Sequence, residues 1–306
     1  MNARSASSLR VANAPCSWGV LEFDLPGQAI GYAQVLDEIR DTGYVGTELG
    51  DWGFMPTDPA VLKRELQGRG LALLGAFVPV AFGEEKSHAA GEEVALKTAR
   101  LLADVSGHSP FIVLADDNGK HATRTRQAGR ITAADGLSDE QWKIFAQGVD
   151  RIAGSVRHQT GLRTVFHHHG AGFVETPWEI ERLMKSTDPK LVGLCFDTGH
   201  YRFGGGDPLQ GLQQFQDRIW HVHYKDCSPT VHHQSRRSEW NYFESLKHGI
   251  FCELGKGDIN FSAITAALRK SGYQGWIVVE QDVLPGQGAP KEFARRNRQF
   301  LRGCDL

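Results

Sequence analysis

Eight short apolar runs recur along the 306 residues, each followed by a longer amphipathic stretch, and no other feature limits the fold as strongly. The runs span 9–16, 45–49, 71–78, 111–115, 163–168, 191–197, 218–224 and 276–280. Several, such as Phe111-Ile112-Val113-Leu114-Ala115, are apolar at every position, as a strand buried on both faces of a parallel sheet should be. The intervening stretches open on recognisable helix starts. Thr176-Pro177-Trp178-Glu179 reads as a capping box with proline at the first helical position, and Ser138 to Gln141 as a second box. Asp207-Pro208 and Thr57-Asp58-Pro59 are further starts. Gly43 and Gly70 suit helix ends, because each leads at once into a strand. Eight strand–helix units without a break in composition predict an α/β chain closed into a single (β/α)8 TIM barrel over 9–306, after a flexible leader at 1–8. An open doubly wound sheet is the alternative, and it lacks the glycine-rich phosphate turn expected after its first strand.

Composition removes several function classes. A formal charge of −2 gives no global field to draw in nucleic acid or an anionic membrane. No apolar run reaches the ~18 residues of a membrane span, and the N-terminus MNARSASSLR has no apolar core of a signal peptide. The five cysteines, Cys16, Cys195, Cys227, Cys252 and Cys304, are odd in number and form no CxxC pair. Reduced thiols in the cytoplasm fit that pattern better than a disulfide framework.

Chemistry is expected where strands end. Glu48 closes the second run; His167, His168 and His169 the fifth; Asp197 and His200 the sixth; His221, His223 and Lys225 the seventh; Glu280 and Asp282 the eighth. A barrel gathers these segments around one axis at the face where such folds place their active sites. Each residue also has a plain structural reading, as a helix cap, a salt-bridge partner or a core histidine, but four successive strands ending in such residues are hard to explain by turn chemistry. Carboxylates with imidazoles suit one divalent metal ion with positions left open for substrate. Mn2+ or Co2+ is the first expectation, with Mg2+, Zn2+ or Fe2+ also admissible. Two long connections, 116–137 and 225–260, leave the same ends and are lid candidates; the first carries Lys120, Arg124, Arg126 and Arg130. Trp18 and Trp52 could stack on a sugar ring or simply close the barrel rim, and Glu175 could serve the site or favour the positive N-terminus of the helix after Thr176.

At Phe196-Asp197-Thr198-Gly199-His200, His221-Val222-His223-Tyr224-Lys225-Asp226 and Gly275-Trp276-Ile277-Val278-Val279-Glu280 the chain resembles the sugar isomerase/epimerase-like, or xylose isomerase-like, barrels. Within that superfamily it is most similar to inosose (2-keto-myo-inositol) dehydratases. That likeness rests on His167-His168-His169-Gly170 leading to Val174-Glu175-Thr176, on Gly249-Ile250-Phe251 through Gly257, and on Glu280-Gln281-Asp282. The resemblance implies a metal held by Glu, Asp, His and Glu from four strand ends. Asp197, His223 and Glu280 match three of these. His167 stands where many members have glutamate, so either His167 substitutes or Glu175 reaches in. A second departure is Trp18-Gly19-Val20-Leu21, where the dehydratases are expected to carry a polar pair after the tryptophan.

The expected function is therefore dehydration of a keto-inositol or related polyhydroxylated ketone through an enediolate, in inositol catabolism. Glu280, His200, His169 and Lys225 are the acid–base candidates, and Trp18, Glu48, Trp52 and His221 the candidate substrate contacts. A ketose epimerase or sugar isomerase on the same site is the alternative. A DNA-repair nuclease and a non-catalytic sugar sensor are weaker competitors. The expected partner is a small polyhydroxylated carbonyl compound, with no nucleic acid or membrane, and homo-oligomerisation is compatible with the sequence.

Overall fold

The computed structural model describes residues 9–21, 23, 30–284 and 286–306; the leader expected at 1–8 lies outside them. The strands are β1 Arg10–Asn13, β2 Gly46–Thr47, β3 Ala72–Leu73, β4 Gly75–Val80, β5 Phe111–Asp116, β6 Arg163–His167, β7 Val192–Asp197, β8 Ile219–Tyr224, β9 Asp226–Cys227, β10 Phe251–Cys252 and β11 Trp276–Val279. Nine of them form one parallel sheet in the order β3-β2-β1-β11-β8-β7-β6-β5-β4, and β9 pairs with β10 in a small antiparallel ribbon. The two edges of the large sheet, β3 and β4, are halves of the single run read at 71–78. Leu74 between them closes the ring: its N–H donates to Thr47 at 3.0 Å and its carbonyl accepts from Phe111 at 2.9 Å. Eight staves thus close into the expected barrel, and the open sheet is excluded.

The helix starts lie where side chains compete for the first free backbone N–H groups. Thr176 and Ser138 form reciprocal capping boxes with Glu179 and Gln141, and Asp58 and Asp207 cap helices with proline in the first turn. Gly43 and Gly70 take φ of +91° and +66° just past helix ends, a region an L side chain enters only under strain. One boundary differs from the expectation. The first run was read to Cys16, but β1 stops at Asn13 and Pro15–Trp18 forms a turn of 3-10 helix. Pro15 carries no N–H for the ladder and is at home in the first turn of a helix.

Strand alternation divides the core. Outward side chains such as Ile112, Phe166, Leu194 and Val222 pack beneath the helices. Inward ones form separate groups, with Ala12, Leu74 and Val278 on one side and Phe111, Val113, Val165 and Cys195 on the other. The register between β7 and β8 shifts between Leu194 and Cys195, which pair with Ile219 and His221 and leave Trp220 as an extra residue. A Cβ on Gly193 would lie 2.2 Å from the Trp220 ring, so only glycine leaves the indole its space.

The two long connections are not free loops. The first holds a helix, Ala122–Gln127, and the second holds β9, β10 and helices Pro229–Arg237 and Tyr242–Lys247. They meet where Arg130 donates to the Trp240 carbonyl at 2.8 Å and Arg236 donates to that of Gly129. Arg124, read from sequence as part of a basic loop, is fully buried. It grips Glu179 through both guanidinium nitrogens, at 2.8 and 2.9 Å, and donates to the Gly172 carbonyl at 2.7 Å. Glu179 also accepts from the N–H groups of Glu175 and Thr176. One buried ion pair therefore ties the first connection to the turn after β6.

Removing one partner of such a pair strands a charge without water, which typically costs about 3–5 kcal/mol. Glu179→Ala is expected to lower unfolding stability in urea by about that much, and Glu179→Gln, which keeps an acceptor for the Glu175 and Thr176 N–H groups, to lose less. A loss in the alanine variant no larger than the ~0–1 kcal/mol of a surface pair would show that the ion pair does not anchor the connection.

Candidate active site

At the C-terminal ends of the strands a cavity of about 530 Å3, counted to include its opening to solvent, is lined by Ala14, Pro15, Cys16, Val20, Glu48, Gly50, Asp51, Phe77, His167, His169, His223, Lys225, Glu280 and Asp282. Local rules bring the polar members there. His167 follows inward-facing Val165 by one alternation of β6, so His168 faces the other way, where its Nε2 accepts from the Asp197 N–H at 3.2 Å. Asp197 pairs with His223 in the β7–β8 register, and Val278 pairs with His223 across β8 and β11, which sets Glu280 just above.

One ligand atom from each of His167, Asp197, His223 and Glu280 lies within 4.8 Å of the others, and all four residues are buried. His167 Nε2 is 3.7 Å and His223 Nδ1 is 3.9 Å from Asp197 Oδ2, and His223 Nδ1 is 3.1 Å from Glu280 Oε1. Asp197 uses Oδ1 to accept the His200 N–H at 2.7 Å, capping the short helix Thr198–Phe203. Its Oδ2 is buried and has no hydrogen-bond partner among the described residues, and the same holds for His223 Nδ1. Buried polar atoms normally find partners, so electron pairs left aimed at one point fit a cation. Charge agrees. Glu48, Asp197, Glu280 and Asp282 face one ammonium, Lys225, in a region with little water. Burial raises Asp197 and Asp282. With no cation present, burial would lower His223, but Cys195, Glu280 and Glu48 outweigh that and raise it well above its usual value; a bound cation would take the place of its Nδ1 proton. Burial lowers His167 to about 3, leaving a neutral ring able to coordinate. Oxygen and imidazole donors without thiolate suit a hard-to-borderline divalent ion.

Beside this group runs a second line. Lys225 Nζ lies 2.9 Å from Asp282 Oδ1, 3.2 Å from Glu280 Oε2 and 3.0 Å from His200 Nε2. Burial alone would strip its proton, but Asp282, Glu280 and Asp197 hold the ammonium charged. The His169 ring lies against His200 with centroids 3.8 Å apart, and its Nε2 is 3.4 Å from the Tyr242 hydroxyl. A cation and a pair of imidazoles thus stand next to the four-residue cluster, able to stabilise or move a proton on a departing oxygen.

Several sequence candidates sit elsewhere. Glu175 is buried, but its Oε1 accepts from the Gly129 N–H at 2.6 Å and its Oε2 from that of Ala171 at 2.8 Å. Both oxygens hold backbone, and Ala171 is kept at φ +67°. Glu175 therefore braces the turn after β6 and takes no part in the cluster. Trp18 lies in the 3-10 turn with its indole N–H donated to Glu38 at 2.7 Å, and Trp52 is 39% exposed with Lys97 over its ring. Neither is among the described residues that line the cavity. His221 lies below the cavity against Glu48, at 2.6 Å. Cys16, Asp51 and Phe77 line the cavity without having been singled out. Inward alternation within the run at 71–78 would have found Phe77. Asp51 and Cys16 sit in irregular segments, where periodicity carries no signal.

Three comparisons bear on kinship. The model of the xylose isomerase-like TIM barrel family matches residues 36–304. Inosose dehydratase of Geobacillus kaustophilus is 32% identical over 302 residues, covering 97% of this chain and 95% of that protein. Inosose dehydratase of Lacticaseibacillus casei is 31% identical, covering 96% of each. Among solved structures, the probable 3-DHS dehydratase of Bacillus anthracis superposes with a TM-score of 0.70 at 16% identity, covering 96% of this chain and 99% of that one. The 3-keto-D-glucoside 4-epimerase of E. coli gives 0.70 at 19%, covering 97% of this chain and 100% of that one. At such identities the superpositions speak for the fold alone.

The geometry separates the two readings of the fourth ligand. In a Mn2+ titration, His167→Ala is expected to weaken affinity by more than the ~10–100-fold that loss of a supporting residue costs. Glu175→Ala is expected to bind within a few-fold of wild type while losing thermal stability. The reverse order would move Glu175 into the coordination shell.

Proposed function

The chain belongs to the xylose isomerase-like TIM barrel family, and on that premise we propose that it is an inosose dehydratase, removing water from 2-keto-myo-inositol or a near analogue. The observation that carries the reading is the juxtaposition, in one cavity, of the His167–Asp197–His223–Glu280 cluster with the Lys225–His200–His169 line. Full-length relatives named inosose dehydratase support the substrate class.

His167, Asp197, His223 and Glu280 would hold a divalent ion, Mn2+ or Co2+ by donor chemistry, with Mg2+, Zn2+ or Fe2+ as lesser fits. When bound, such an ion polarises the substrate ketone and stabilises negative charge on its oxygen. The protein's residues supply the rest. A carboxylate, Glu280 in this reading, takes the proton from the carbon next to the carbonyl. The electron pair passes into the enediolate and then expels the hydroxyl one carbon further on. Lys225, which lines the cavity and is held in place by His200, protonates that hydroxyl so that it leaves as water. Each acid–base group placed in this way can contribute its usual ~10²–10⁴-fold. An epimerase would need a second base across the substrate. Asp51 lines the cavity and is the residue to consider, since burial raises its carboxyl. The identity of the product decides between the two.

The same reading assigns the enzyme to inositol catabolism in the cytoplasm. All five cysteines are free thiols, and no helix among the described residues is long and apolar enough to cross a membrane.

Incubation with 2-keto-myo-inositol should give a product lighter by one water. Chelation should abolish turnover, and Mn2+ or Co2+ should restore it. His200→Gln should keep its metal and lose about 10²–10⁴-fold in kcat. An isomer of unchanged mass would assign the epimerase chemistry instead, and full turnover after chelation would remove the metal from the mechanism.

A further inference from the structure

Glu48 lines the cavity, yet one of its oxygens is already occupied. Glu48 Oε1 lies 2.6 Å from His221 Nε2 and 3.1 Å from His223 Nε2. All three residues are buried, in a barrel interior otherwise filled by Ala, Leu, Val and Phe. An ionised carboxylate only accepts hydrogen bonds. Each contact therefore requires the imidazole to carry its proton on Nε2. A neutral ring has one such proton, so His223 is left with its Nδ1 lone pair free. That atom faces the metal cluster, 3.9 Å from Asp197 Oδ2 and 3.1 Å from Glu280 Oε1, without a hydrogen-bond partner among the described residues.

We infer that Glu48 is a positioning residue for the metal: it fixes the tautomer and the ring plane of His223 so that Nδ1 is the coordinating nitrogen, and His221 holds Glu48 in place for that task. The inference rests on the metal reading above and replaces the expectation that Glu48 and His221 contact substrate. The fold is arranged for it. Glu48 follows β2 directly, and Leu49 donates to the Gly75 carbonyl at 2.9 Å, anchoring the backbone on the far side. Alternation along β8 turns His221 to the same inward face as His223, one layer lower. A charged acceptor behind a ligating imidazole also makes the ring a better donor to the ion, and losing such a partner typically costs ~10–100-fold in affinity.

The test is Co2+ titration of purified apoprotein, read by visible absorption and calorimetry, with far-UV circular dichroism as the check on folding. Glu48→Gln keeps the shape and one weaker acceptor; its affinity should fall by about 10-fold, and that of Glu48→Ala by up to about 100-fold. Both should give an absorption band altered from wild type, because the His223 ring is no longer held. His221→Phe leaves the Glu48–His223 bond and should lose less than Glu48→Ala. If Glu48→Ala fails to fold, the near-isosteric Gln variant alone decides. Wild-type affinity and spectrum in Glu48→Gln would overturn the inference. Asp197→Ala separates this failure from failure of the metal reading. If Asp197→Ala bound Co2+ as wild type does, the cluster itself would be misassigned, whatever Glu48 did.

Discussion

Desolvation of charge governs the mouth of this barrel. Four carboxylates, a lysine and several histidines stand where water is largely excluded, and an isolated ion there would be costly. The structure offsets the cost by pairing. Lys225 sits among Asp282, Glu280 and Asp197, and Glu48 sits between two imidazoles. Among the described residues, one oxygen of Asp197 and one nitrogen of His223 in the cluster are left without a hydrogen bond, 3.9 Å apart. A divalent ion between them would balance the excess negative charge and satisfy both atoms.

The rest of the architecture serves to hold these groups still. Parallel strands fix side-chain direction, so ligands two residues apart on one strand or level on neighbouring strands keep their spacing. The turn after β6 is braced twice, by Glu175 on the backbone of Gly129 and Ala171 and by the buried Arg124–Glu179 pair. The long connections dock against one another through the bonds from Arg130 to the Trp240 carbonyl and from Arg236 to that of Gly129. Glu175, the alternative to His167 as a metal ligand, thus shapes the wall of the site.

The barrel and its strand-end candidates were legible in the sequence from periodicity, and the family resemblance picked the four cluster residues out of those candidates. Alternation places His167, Asp197, His223 and Glu280 inward at strand ends, and unbroken apolar runs mark strands covered on both faces. What was not legible depends on contacts distant in sequence. Nothing local in Val174-Glu175-Thr176 shows that both oxygens of Glu175 meet N–H groups, one of them from Gly129. Arg124 reads as a solvated loop residue until Glu179 is brought to it by the fold. Trp18 looks like a sugar platform because β1 was expected to run on to Cys16; the turn at Pro15 rotates the indole toward Glu38. The extra residue Trp220 is a register effect between two strands and leaves no trace in either alone.

The most direct measurement is anomalous diffraction from crystals of the Mn2+-loaded protein. A single strong peak enclosed by His167 Nε2, Asp197 Oδ2, His223 Nδ1 and a Glu280 oxygen is the expected result. A peak beside Cys16 and Asp282, the other group of acids and thiol that meets at Glu280, or no peak within the cavity at all, would contradict it.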